Sequence, residues 1–204
     1  MTGNSVRFLW RYRMSELLLT DQMICGVDEA GRGPLAGPVC AAAVILPKGL
    51  QIPGLNDSKK LSEKKREELY DIIRENALSA GIAFATVEEI EEMNILEATF
   101  LAMNRAIAQL EPQPELALID GNRCKGIAVP AQCVIKGDAT VASIAAASIL
   151  AKVTRDRLML QLAEQYPLYG FEKHKGYGTE AHYAALRAYG PSPVHRMSFL
   201  RKMH

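Results

Sequence analysis

The stretch that most constrains this chain is residues 24 to 38, Ile-Cys-Gly-Val-Asp-Glu-Ala-Gly-Arg-Gly-Pro-Leu-Ala-Gly-Pro. Its apolar start reads as a strand, and the adjacent carboxylates Asp28 and Glu29 fall where that strand ends. Gly31, Gly33 and Gly37 then alternate with Pro34 and Pro38, which keeps a helix from following directly. Paired carboxylates beside nearly naked backbone suit a hard divalent cation, Mg²⁺ or Mn²⁺, and a phosphate group. A plainer alternative makes Asp28 a helix cap and the glycines a turn. The prolines oppose that helix, and Ala41 to Leu46 reads as a second strand. Gly31 to Ala36 also fits the dinucleotide pattern G-x-G-x-x-A, which needs a helix at the loop and an acidic end to the next strand. Pro34 and Pro38 spoil the first requirement, and Pro47-Lys48-Gly49 offers no carboxylate for the second.

At 204 residues the chain is long enough for one domain, or one domain with a C-terminal appendage. It can bury about 70% of its unfolded surface, so folding needs no disulfide or metal staple. A net charge of +1 leaves no strong overall field, so any nucleic-acid binding must come from local basic patches. Cys25, Cys40, Cys124 and Cys133 form no C-x-x-C pair, and reduced thiols in a cytosolic core are the expectation. No segment approaches the roughly 20 apolar residues of a membrane span, and residues 1 to 20 lack a convincing signal-peptide core. The expectation is a cytoplasmic protein with a loosely ordered extension at 1–22 and a folded domain at 23–204.

Along the chain, residues 24 to 46 predict two strands in an antiparallel hairpin. A helix from Ser62 to Ala77 turns Leu69, Ile72 and Ile73 inward, with Gly81 as its stop, and Ile82 to Val87 reads as a third strand. Asn94-x-x-Glu97 resembles a capping box opening a helix whose stripe is Ile95, Thr99, Met103, Ile107 and Leu110. Leu116 to Ile119 is a strand ending in Asp120; Gln132 to Lys136 is another, followed by Gly137-Asp138. An alanine-rich buried helix spans Val141 to Gln165. After it come Lys173-His-Lys-Gly-Tyr177, a helix capped by Thr179, and a basic tail from His195 to Lys202.

The sum is an α/β fold with a mixed sheet. If its acidic-ended strands run parallel, Asp28, Glu29, Asp120 and Asp138 converge on one sheet edge. Such a cluster repels itself and persists only if cations neutralise it. Neighbours on a regular strand face opposite sides. Bringing Asp28 and Glu29 together therefore requires an irregular strand, which the glycine loop leads one to expect.

From Ile24 to Phe199 the chain resembles the bacterial type 2 ribonucleases H. The likeness rests on Val-Asp28-Glu29-Ala-Gly31-Arg32-Gly33-Pro, Leu-Asn-Asp57-Ser58-Lys59-Lys60-Leu, Leu-Ile-Asp120-Gly-Asn and Lys136-Gly-Asp138. It continues through Ala-Ala-Ser148-Ile-Leu-Ala-Lys152-Val, His174-Lys-Gly-Tyr177-Gly-Thr and His195-Arg-x-Ser198-Phe. Two departures stand out: Ala145 replaces the family's usual serine, and the segment after Phe199 is short. The resemblance implies a ribonuclease H-like fold, with a central five-stranded mixed sheet flanked by helices and a C-terminal helical part. It implies cleavage of RNA in RNA–DNA hybrids, and cleavage 5′ of single ribonucleotides embedded in duplex DNA, leaving 3′-hydroxyl and 5′-phosphate ends.

The same resemblance makes Asp28, Glu29, Asp120 and Asp138 the catalytic residues and ligands of two Mg²⁺ or Mn²⁺ ions; Asp28 is the expected bridging ligand because its strand is expected to be central in the sheet. It assigns Gly31, Arg32 and Gly33 to reading the ribose 2′-hydroxyl, and Tyr177 to sensing the sugar at the RNA–DNA junction. Lys59, Lys60, Lys173, Lys175, Arg196 and Arg201 are candidate phosphate contacts, with Lys173 and Lys175 preferred. His174, His182, His195 and His204 lack metal-ligand spacing and are expected at the surface or in hydrogen bonds. A monomer is expected, with the tail as the place where a replication clamp or polymerase could dock. A type 3 ribonuclease H would carry an additional N-terminal binding domain, and residues 1 to 22 are too few for one. A non-catalytic hybrid-binding protein would be expected to lose a carboxylate, and all four are present.

Overall fold

The computed structural model describes residues 22–201. The expected N-terminal extension and His204 therefore lie outside the described residues, apart from Gln22. Five strands form one mixed sheet: β1 (Ile24–Ala30), β2 (Val39–Ile45), β3 (Ser79–Ala85), β4 (Leu116–Asp120) and β5 (Ala131–Val134), in the order β3-β2-β1-β4-β5. β1 pairs antiparallel with β2 and parallel with β4, and β4 pairs parallel with β5. The five-stranded mixed sheet expected from the family resemblance is thus present. Seven helices accompany it among the described residues: α1 (Glu63–Asn76), α2 (Val87–Met93), α3 (Ile95–Ile107), α4 (Ala142–Gln165), α5 (Phe171–His174), α6 (Glu180–Tyr189) and α7 (Met197–Leu200).

Strand alternation sorts the core into layers. Cys25 and Val27 of β1, with Ala41 and Ala43 of β2, pack against Ala98, Ala102 and Met103 of α3. On the other face Cys40, Ala42 and Val44 meet Leu69 and Ile73 of α1 and Ala146, Ile149 and Leu150 of α4. A strand buried on both faces must be apolar throughout, as Val-Cys-Ala-Ala-Ala-Val-Ile is. A third cluster joins Leu35 and Ala36 of the glycine loop to Met159, Phe171, Leu186 and Leu200, and so ties the C-terminal helices to that loop.

Several local expectations change. α1 ends at Asn76, capped by Ala77, and Gly81 lies inside β3, where any side chain would strike the Ala106 carbonyl of α3. The predicted strand to Val87 stops at Ala85, because Thr86 and Glu89 form the reciprocal capping box that opens α2. Asn94 caps α3 by accepting from the Leu96 and Glu97 amides. β5 ends at Val134; Lys136 takes a left-handed conformation (φ 57°), so Asp138 sits on a 3₁₀ turn rather than at a strand end. The expectation of four reduced thiols is overturned at one pair: Cys124 and Cys133 form a disulfide with Cα atoms 5.8 Å apart. Cys25 and Cys40 are free and buried, and burial pushes both thiols up to about 12.

Candidate active site

Parallel pairing in register sets Val27 beside Ile119, which brings the next residues, Asp28 and Asp120, level on the α4 face of the sheet. The turn after β5 supplies the third carboxylate. Gly137 and Asp138 donate their amides to Asp120 Oδ1 at 2.7 and 3.4 Å, folding Asp138 back onto β4. Oxygens of Asp28, Asp120 and Asp138 all lie within 4.8 Å of one another. Asp28 is 4% exposed and Asp138 7%.

Glu29 behaves differently. β1 stays regular through Ala30, with Asp28 opposite Ala42 and Glu29 opposite Ala41. The predicted irregularity is absent, because ladder bonds to β2 hold the strand flat beyond both carboxylates. Glu29 therefore approaches from the α3 face, in a cleft of about 360 Å³ shared with Arg32, Asp120, Asn122 and Arg123. Arg32 pairs with Glu29 at 3.3 Å.

The electrostatics are those of a crowded anionic site. Burial, then the neighbouring charges of Glu29 and Asp120, hold the Asp28 carboxyl well above the ordinary range, against hydrogen bonds from the Glu29 amide and Ser148. Burial raises Asp138 as well, reinforced by Asp120 and Asp57 and opposed by Lys59. Burial also raises Glu29, with Arg32 pulling the other way. Lys59, exposed at its tip, sits 3.7 Å from Asp138. Burial lowers its ammonium, but Asp28, Asp138, Asp57 and Asp120 together outweigh that and raise it. Hard oxygen donors, close spacing and like charge that Lys59 only partly relieves make the cluster a fit for divalent cations of the Mg²⁺ or Mn²⁺ kind.

The glycine loop lies beside the carboxylates. Gly31 has φ +97°, and a side chain there would run into the Arg155 guanidinium. Arg32 and Gly33 are exposed, as is Tyr177 at 44%, and a Cβ on Gly33 would lie 3.7 Å from the Tyr177 ring. Lys173 is exposed and Lys175 half-buried on the same segment. The structure thus brings Gly33 and the Tyr177 ring into one neighbourhood.

Arg196 is not a phosphate contact. It is fully buried and donates to the carbonyls of Gly31, Arg32, Pro34 and Gly37 at 2.6–3.0 Å. Arg155, equally buried, donates to Ala36, Pro38 and Lys175. His182 and His195 are buried rather than at the surface, and hydrogen-bonded to each other. Sequence reasoning also passed over the Ser58–Ser148 hydroxyl pair at 2.7 Å, which stands beside Asp28. A serine on the apolar face of an alanine-rich helix was the available signal.

A mixed sheet whose parallel strands β1 and β4 carry carboxylates to one end, with helices on both faces, is the architecture of the ribonuclease H-like fold. A family model described as ribonuclease HII matches residues 25–202. Ribonuclease HII of Dechloromonas aromatica is 62% identical over 186 residues, covering 91% of this chain and 95% of that protein. The solved ribonuclease H2 of Pyrococcus horikoshii superposes with a TM-score of 0.72 at 28% identity, over 88% of this chain and 96% of that one. The ribonuclease HII of Archaeoglobus fulgidus, solved in complex with PCNA, gives 0.69 at 26% identity, over 86% and 94%. The chain belongs to the ribonuclease HII family, endonucleases that act on the RNA of RNA–DNA hybrids. Among the described residues no helix is long and apolar enough to cross a membrane.

Proposed function

We propose that this protein, beyond degrading RNA in hybrids, nicks duplex DNA on the 5′ side of a single embedded ribonucleotide. The carrying observation is that the Asp28–Asp120–Asp138 cluster is followed directly in the chain by the glycine loop, with Tyr177 close to Gly33. Asp28, Asp120 and Asp138 would hold two divalent cations from the α4 face, and Glu29 would complete the shell from the other. When bound, the ions supply Lewis acidity at the attacking water and at the leaving oxygen. The reaction is an in-line displacement: water adds to phosphorus, the P–O3′ bond breaks, and 3′-hydroxyl and 5′-phosphate ends result.

The protein's own groups fix the substrate for that step. Main-chain atoms of Gly31, Arg32 and Gly33 can approach a 2′-hydroxyl closely, and that hydroxyl alone separates a ribonucleotide from its deoxy counterpart. The Tyr177 ring stands against the same sugar. Lys59, Lys173 and Lys175 contact flanking phosphates, which makes cleavage fall with added salt.

The test uses duplex DNA containing one ribonucleotide, with Mg²⁺ or Mn²⁺ and then EDTA. A metal-dependent nick 5′ of the ribonucleotide, with all-DNA duplex intact, is expected. Cuts in long hybrid without that nick would overturn the junction reading.

A further inference from the structure

Tyr177 presents an exposed ring on a segment whose backbone is held at every carbonyl. The Lys175 carbonyl accepts from Arg155 at 3.0 Å, and the Gly176 carbonyl from the Leu35 amide at 2.8 Å. The Tyr177 carbonyl accepts from the Thr179 amide and lies 2.9 Å from His182 Nδ1. His182 Nε2 is 3.0 Å from His195 Nε2, and His195 Nδ1 accepts from the Ser192 amide at 2.9 Å.

These contacts determine where every proton sits. A backbone amide can only donate, so His195 Nδ1 is bare and its Nε2 carries the hydrogen. That hydrogen points at His182 Nε2, which must accept, leaving His182 Nδ1–H to donate to the Tyr177 carbonyl. The direction of the whole chain follows from one fixed amide. His174, stacked on His182 with centroids 4.5 Å apart, accepts from the Gly176 amide through Nδ1, so its Nε2–H faces the Tyr169 carbonyl. Phe171 closes edge-on against His182 and Tyr169 tilts over His195, which excludes water from both rings. Among the described residues no carboxylate has an ion pair with either histidine. Burial holds both below the ordinary imidazole range, so the neutral pair is the form present at neutral pH.

We propose that His182 and His195 are positioning residues: a neutral two-histidine relay that orients Tyr177 over the glycine loop for reading the ribose. This rests on the role given to Tyr177 above. The relay touches the tyrosine only through its main chain, so the ring stays free to meet the sugar while its base is locked.

The test is a double-mutant cycle on ribonucleotide-containing duplex, with long hybrid as the second substrate. His182→Phe keeps the ring but removes the donor, and should lower kcat/KM at the junction about tenfold, the worth of one buried hydrogen bond. Hybrid cleavage should fall less. In a Tyr177→Ala background the same change should cost nothing further. Full additivity, or equal losses on both substrates, would reduce the histidines to fold support and overturn the proposal. An unchanged Tyr177→Ala enzyme would instead overturn the ribose-reading role itself, so the two failures are separable. Should His182→Phe fail to fold, His182→Asn retains an amide donor toward Tyr177 without reaching His195. Recovery to within about threefold of the parent supports positioning through the donor to the Tyr177 carbonyl, with His195 serving only to fix the His182 tautomer that an amide does not need, and loss of junction cleavage in a folded His182→Asn protein contradicts it.

Discussion

The two ends of the site handle buried charge in opposite ways. At the carboxylate end, Asp28, Asp120 and Asp138 crowd within 4.8 Å, and among the described residues the one cation in an ion pair with that cluster is the exposed Lys59. At the glycine-loop end, Arg155 and Arg196 are buried as deeply, yet they make eight hydrogen bonds to seven main-chain carbonyls, six of residues between 31 and 38 and that of Lys175. The arginine end is finished by the chain itself; the aspartate end is left for something the chain does not contain. A charge satisfied internally supports the fold, whereas a charge left unsatisfied is a binding capacity.

The sharpest way to break this contrast is Asp28→Asn. Cleavage should fall at least about a hundredfold, while metal-free thermal stability stays level or rises, because one of several repelling charges is gone. A large drop in melting temperature would make Asp28 a structural residue. Arg196→Met should do the reverse and lower the unfolding free energy in urea by roughly 3–5 kcal/mol, since four carbonyl-bearing residues lose their donor. A loss below about 1 kcal/mol would mean that water replaces the clamp.

Acid should expose the histidine side of the second region. His195 is pushed down to about 4 by burial and then by His182, and His182 and His174 are lowered chiefly by burial. Folded-state values below the unfolded ones mean that stability is fully present above pH about 6.5 and falls as pH drops toward 4. His195 alone would account for about 3 kcal/mol across that window, and His195→Phe should flatten that part of the urea-denaturation profile. The smallest effect belongs to Lys173→Ala. Stability should move by less than about 0.5 kcal/mol, and the salt slope of substrate binding should lose about one unit.

Legibility in the sequence followed the range of the interaction. Ser62 and Thr179 cap the helices that open after them, and the apolar run expected as a strand from Ala41 to Leu46 lies almost wholly in β2, which starts two residues earlier at Val39 and ends at Ile45. Parallel delivery of the acidic strand ends was also readable, because Asp28 and Asp120 follow apolar runs directly. What escaped depended on partners without sequence identity. Arg196 looked like part of a solvated basic tail because its acceptors are backbone carbonyls more than 150 positions away. Cys124 and Cys133 meet because β4 and β5 pair, not because of any spacing rule. Thr86-x-x-Glu89 was a legible capping box, overlooked because the preceding apolar run appeared to extend through Val87.

One helix serves both regions. α4 carries Ser148 beside Asp28 and, two turns later, Arg155 against the Tyr177 segment. Seven residues at 3.6 per turn return nearly to the same face after roughly 10 Å. α4 therefore works as a ruler, whose graduations fix the interval between the place where the strand is cut and the place where its sugar is inspected. Substitutions along it leave that interval intact. A single inserted residue between 148 and 155 would swing one mark about 100° away from the other, and cutting would no longer be in step with reading.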